Sequence, residues 1–159
     1  MAEALGRIDS ENAARYAANA DGYIEKLNAL DTQYQAAVVA VAHHTLLFGD
    51  RFPFRYLADD YGLDYYAAFA GCSAETEASF ETVIFLANRL DELGLPAILQ
   101  IETSDGSIAR TVAENTQSRD QQILTLDSMQ SVTGAEAASG ASYLAIMENN
   151  LAVLKAALG

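Results

Sequence analysis

The apolar residues of this chain follow a helical period once, at length, and then alternate between strand-like and helix-like patterns. Tyr16, Tyr23, Leu27, Leu30, Tyr34, Ala37 and Val41 recur at spacings of three, four and seven, which places them on one stripe of a helix. Arg15, Asp21, Glu25, Asn28 and Gln35 occupy the opposite face, and no proline interrupts the run. The pattern predicts one helix of about thirty residues, started by Asp9 or Ser10 as N-cap. At His43 and His44 the period changes. Adjacent residues cannot face one point on a helix or a strand, so this pair reads as a helix-to-strand junction rather than as two metal ligands.

Four strands and four helices are then predicted in alternation. Residues 45–48 form a buried strand bounded by Gly49, and residues 52–61 a short helix with Pro53 in its first turn and Gly62 closing it. Residues 64–69 form a second strand. Residues 76–93 form a helix with Phe80, Val83, Ile84, Ala87 and Leu90 facing in, closed by Gly94. Pro96 introduces a third strand over residues 97–101. Ser104 or Asp105 caps the next helix, which carries Ile108 and Val112, and residues 122–126 form the fourth strand. The last helix starts at a capping box, Thr133 with Glu136, and carries Leu144, Met147, Leu151, Leu154 and Leu158. This order predicts an α/β fold: a four-stranded parallel sheet flanked by helices and preceded by a long backbone helix. Two parts follow, residues 1–43 as the backbone or linker helix and residues 44–159 as the α/β lobe.

Parallel sheets carry function in the loops that leave the C-terminal ends of their strands. Here those are residues 49–51, 70–76, 102–106 and 127–133. Asp50 reads either as a metal or ligand group or as the cap of the helix after it. Glu75 and Glu77 are acids near a helix start, where the dipole alone favours them. Glu102 follows the apolar strand directly and has no such local reason. Converging oxygen donors at one crevice could hold a divalent cation.

Other chemistries find little support. The stretch Gly71-Cys72-Ser73-Ala74-Glu75 brushes against a nucleophile-elbow pattern, but its last glycine is missing and both histidines precede the first strand, so no base stands near. No phosphate-binding glycine motif, receiver-type lysine or H-E-x-x-H spacing is present. The chain therefore reads as a non-enzyme, and a Mg²⁺-assisted hydrolase lacks both a general base and a phosphate cradle. Lys and Arg number 9 against 22 Asp and Glu, a net charge of −13, which argues against a nucleic-acid or anionic-membrane surface. The 51% apolar content argues for a folded core. The single cysteine, Cys72, excludes an internal disulfide. The apolar runs are far shorter than the roughly 20 residues of a membrane span, and the first eight residues do not read as a signal peptide. The chain begins abruptly in helix-forming residues, as a fragment would.

The run Phe48-Gly49-Asp50-Arg51-Phe52-Pro53-Phe54-Arg55-Tyr56-Leu57, continuing to Tyr61-Gly62-Leu63, resembles a specific family. This is the C-terminal lobe of the zinc/manganese substrate-binding lipoproteins of ABC transporters, the adhesion-lipoprotein or ZnuA/TroA-like group. Residues 72–79 resemble its Glu-Pro-Ser helix start, with Ala78 in place of the proline. Ile101-Glu102 resembles its acidic strand end. Residues 109–116 and the closing pattern Tyr143, Met147, Asn150, Leu154 resemble two of its helices, and Asn12-Ala13-Ala14 with Tyr16, then Leu27, Leu30 and Asp31, its long backbone helix.

The resemblance implies a metal-binding lobe of a periplasmic or extracellular solute-binding protein, a lipoprotein importing zinc or manganese. Its implied partners are an ABC-transporter permease and an N-terminal lobe supplying histidine ligands, which this chain lacks. The family's usual ligand after the first strand falls at Gly49, beside Asp50, and its late acidic ligand falls at Glu102. The candidate metal residues are thus Asp50, Glu102, Glu75 and Cys72, and binding of Zn or Mn is expected to be weak, since tight zinc sites take four ligands, mostly His or Cys. An uncovered half-cleft would also favour self-association as a homodimer. The alternative is an autonomous α/β structural or interaction domain that has lost metal binding.

Overall fold

The computed structural model describes residues 1–71 and 77–159. Two compact units divide the chain, residues 1–35 and 36–159. The first opens with α1 (Ala2–Ile8) and a 3-10 turn (Ser10–Asn12), and α2 (Ala13–Val39) then runs 27 residues. The long helix is therefore present, with a break before it. Asp9 is the N-cap residue of the 3-10 turn rather than of the long helix, and makes no side-chain cap bond there. Its Oδ2 accepts from Asn12 Nδ2 at 2.9 Å and from the Tyr16 hydroxyl at 2.8 Å. Of the proposed stripe, Tyr16 and Leu27 are half-buried, while Tyr23 is exposed.

The second unit contains β1 (Thr45–Phe52), α3 (Arg55–Tyr61), β2 (Asp64–Ala70), α4 (Phe80–Leu93), β3 (Ala97–Gln100), α5 (Ser107–Glu114), β4 (Gln122–Thr125), α6 (Gly134–Ala138) and α7 (Tyr143–Leu158). The four strands pair in the order β2-β1-β3-β4, all parallel. His43 and His44 lie between α2 and β1, at the N-terminal edge of the sheet. Period-two alternation divides the apolar side chains between the two faces. On one face Leu47 and Ile98 pack with Val83, Leu86, Ala87 and Leu90 of α4 and Ala109 and Val112 of α5. The opposite face carries Leu46, Phe48 and Leu99, and α7 packs on β1, β3 and β4 with Leu151, Leu154 and Leu158 buried. Phe48, Phe52 and Phe54 cluster beside them, with centroids 5.2 to 6.3 Å apart.

Four expectations are corrected. β1 does not stop at Gly49 but continues to Phe52 through an irregularity. Phe48 pairs with Ala67 and Arg51 with Phe69, so three steps on β1 match two on β2, which is a bulge at Gly49 and Asp50. α3 consequently begins at Arg55 with Phe54 as N-cap and no side-chain cap, so Asp50 does not cap it and Pro53 precedes it. α4 begins at Phe80, with Ser79 Oγ accepting from Thr82 N–H at 3.1 Å. Glu77 therefore precedes the helix, and Phe80, in its first turn, points to solvent. Finally, the capping box of Thr133 and Glu136 is formed, but the helix it starts stops at Ala138. The chain then passes through Gly140 at φ 103° and restarts on Ser142, whose Oγ accepts from Ala145 N–H. Gly62 and Gly94 close α3 and α4 in the left-handed conformation, as their positions predict.

Candidate metal centre

The C-terminal ends of β1, β3 and β4 deliver three carboxylates to one rim: Asp50, Glu102 and Asp127. Each is held differently. Asp50 sits in the β1 bulge and is buried, 7% exposed. Its Oδ1 accepts from Arg51 N–H at 2.7 Å and its Oδ2 from Ile101 N–H at 3.2 Å. β1 and β3 pair at Phe48 and Leu99, and the Asp50 carboxylate extends the link between these strands to Ile101. That role satisfies a buried N–H and turns the carboxylate inward. Asp50 lines a cleft of about 200 Å³ with Arg51, Phe69, Thr103, Ser104, Asp105, Ser107 and Ile108. On its wall, Asp105 Oδ1 accepts from Ser107 N–H at 2.8 Å, and Ser107 and the nearby Arg110 guanidinium hold the Asp105 carboxyl below the usual range.

Glu102 faces a second cleft, of about 190 Å³, together with Asp127, Ser131, Val132, Glu136, Ala141 and Ile146. Its Oε2 accepts from Ser128 N–H at 2.8 Å. Its Oε1 accepts from the Ser128 hydroxyl at 2.8 Å and, at 3.3 Å each, from Gln130 N–H and the Ser131 hydroxyl. Partial burial pushes the carboxyl upward. The donors, led by Ser128 N–H and its hydroxyl, outweigh this and hold it below the usual carboxylate range. Asp127 occupies the equivalent place after β4. Its Oδ1 accepts from Met129 N–H at 2.7 Å, and Met129 adopts φ 60°. Glu136 lies on the same cleft with its carboxyl lowered by Thr133 N–H and the Thr133 hydroxyl.

The rim thus collects the acids at the sheet end, but Asp50 and Glu102 line different clefts. Glu75 and Cys72 lie outside the described residues. Among the described residues no three His, Cys, Asp or Glu side chains are grouped so as to share one metal ion. Gly49, where the family resemblance puts a ligand, packs against α5. A Cβ there would meet Ala109 Cα at 2.6 Å.

Two residues escaped the sequence reading. Asp127 carries the same signal as Glu102, an acid directly after an apolar strand. Asn150 sits on the apolar stripe of α7, 2% exposed. Its Nδ2 donates to Asp127 O at 2.8 Å and its Oδ1 accepts from Asp127 N–H at 2.9 Å. A polar residue between Met147 and Leu154 on a buried stripe was the available sign.

A parallel sheet with acids at the C-terminal ends of its strands, following a long helix in the chain, defines an α/β lobe. The comparisons make this specific. Residues 1–157 match the family described as zinc-uptake complex component A, periplasmic (ZnuA), and the chain belongs to that family. It is 28% identical over 153 residues to the zinc-binding protein AdcA of Streptococcus pyogenes, covering 96% of this chain and 29% of AdcA. It superposes on the metal-dependent lipoprotein YcdH of Bacillus subtilis with TM-score 0.80 and 26% identity, over 99% of this chain and 58% of YcdH. The Zn(II)-bound ZnuA-like domain of Streptococcus pneumoniae AdcA gives TM-score 0.75 and 25% identity, over 99% of this chain and 57% of that one. The chain therefore spans less than two thirds of the length of each.

Proposed function

We propose that this chain is a zinc-binding lobe of a solute-binding protein that delivers a divalent metal to an ABC-transporter permease, at the periplasmic or extracellular face. The observation that carries the reading is the family match along residues 1–157, with carboxylates at the C-terminal strand ends. Asp127 and Glu102 are the proposed donors of this lobe, because they share one cleft. Asp50 is left out of the set, since it lines the other cleft, apart from Glu102 and Asp127. Two carboxylates make half of a tetrahedral zinc shell, so the lobe alone binds weakly and the remaining donors come from a second lobe. Oxygen donors also accept manganese. Zinc is the favoured cargo because zinc is the metal in the names of the relatives. The −13 net charge attracts cations to the chain at low salt.

Calorimetric titration with zinc and with manganese tests the reading. A weak zinc heat that falls in Asp127→Asn, and persists in His43→Ala, is expected. The same titration of Cys72→Ser and Glu75→Gln decides whether those two belong to the donor set. Equal zinc heats for the wild type and Asp127→Asn overturn the site, and no zinc heat at all favours an α/β domain that has lost its metal.

A further inference from the structure

We propose that Asn150 is a positioning residue and that Glu102, besides its donor role, acts with it to pre-set the loop of residues 127–131, and with it the carboxylate of Asp127; this rests on the zinc-lobe reading above. The two grips are independent in origin. Asn150 comes from α7 and holds both the N–H and the C=O of Asp127, at 2.9 and 2.8 Å. Glu102 comes from the end of β3 and takes Ser128 N–H, the Ser128 hydroxyl, Gln130 N–H and the Ser131 hydroxyl. Within the span that Glu102 holds, next to Ser128 and Gln130, lies Met129, a non-glycine residue at φ 60°. L-residues persist in that conformation where surrounding bonds over-determine it. Here Asp127 Oδ1 supplies one such bond, accepting Met129 N–H at 2.7 Å. Each grip fixes a different part of the loop, so the conformation needs both.

Asn150 is absent from the lining of the Glu102–Asp127 cleft. It therefore acts on a bound ion through the Asp127 backbone, as an outer-shell group orients a ligand. The side-chain amide suits the task because it donates and accepts at once. An aspartate at 150 would meet Asp127 O with an acceptor and break half the grip.

Hydrogen exchange of the backbone amides of residues 127–130, measured without metal, reads the clamp directly. Zinc calorimetry on the same samples reads its consequence. Asn150→Ala and Glu102→Gln are each expected to speed exchange of those amides at least about tenfold, while the β3–β4 ladder keeps its protection. Asn150→Ala is expected to weaken zinc binding by about tenfold. Leu154→Ala, a cavity in the same helix, is the control: it lowers stability and leaves loop exchange and zinc affinity in place. Loop exchange in Asn150→Ala equal to the wild type, or loosened equally by Leu154→Ala, overturns the proposal. A wild type that takes no zinc removes the function reading, and the exchange measurements still decide the clamp.

Discussion

Gly49 and Asp50 are neighbours in one bulge and are used for different things. Gly49 lets α5 approach β1 until a Cβ would lie 2.6 Å from Ala109 Cα, a backbone-borne atom that cannot rotate away. Gly49→Ala is expected to destabilise the fold by about 1–3 kcal/mol through overpacking, read as a lower urea midpoint. Asp50 secures Ile101 N–H in a buried setting. Asp50→Ala leaves that donor unpaired and is expected to cost about 2–3 kcal/mol in the same assay. Glu102 adds a pH signature. Its folded carboxyl lies below the ordinary 4.5, so its contribution to stability is complete above that value and is lost as pH falls through the lower folded value. Glu102→Gln is expected to flatten the stability profile in that acid window, by chemical denaturation at a series of pH values. The acid at Glu102 was legible because nothing local accounted for it. The inward turn of Asp50 was not, because a bulge depends on the register of a neighbouring strand.

At the scale of elements, local signals located the strands and the glycine stops well, and the helix starts less well. Gly62 and Gly94 end α3 and α4 because left-handed residues close helices there. The start of α4 moved to Phe80 because Ser79 captures Thr82 N–H. The last helix broke in two for a comparable reason: Ser139-Gly140 interrupts the run and Ser142 offers a second cap. Periodicity carried by Leu144, Met147 and Leu151 lies after that break, so it could not report on residues 134–138. Thr133→Ala removes the capping box of the five-residue α6 and is expected to cost about 1 kcal/mol locally, seen as faster amide exchange over residues 134–138 with α7 unchanged.

For the molecule as a whole, alternation of apolar period was enough to give a parallel four-stranded sheet that follows a long helix in the chain. The family followed from residues 48–63 and the helices around them, and the match now covers residues 1–157. The division of the rim into two clefts was out of reach of the sequence, since it depends on where α5, α6 and α7 seat against the strand ends. Among the described residues, no helix is long and apolar enough to cross a membrane. On the proposed function, zinc binds in the cleft between β3, β4 and α6. Anomalous diffraction at the zinc edge, from crystals of the chain grown with zinc, tests it most directly. A peak is expected within about 2.0–2.2 Å of an Asp127 or Glu102 carboxylate oxygen. A sole peak on His43 or His44, at the other end of the sheet, would contradict it.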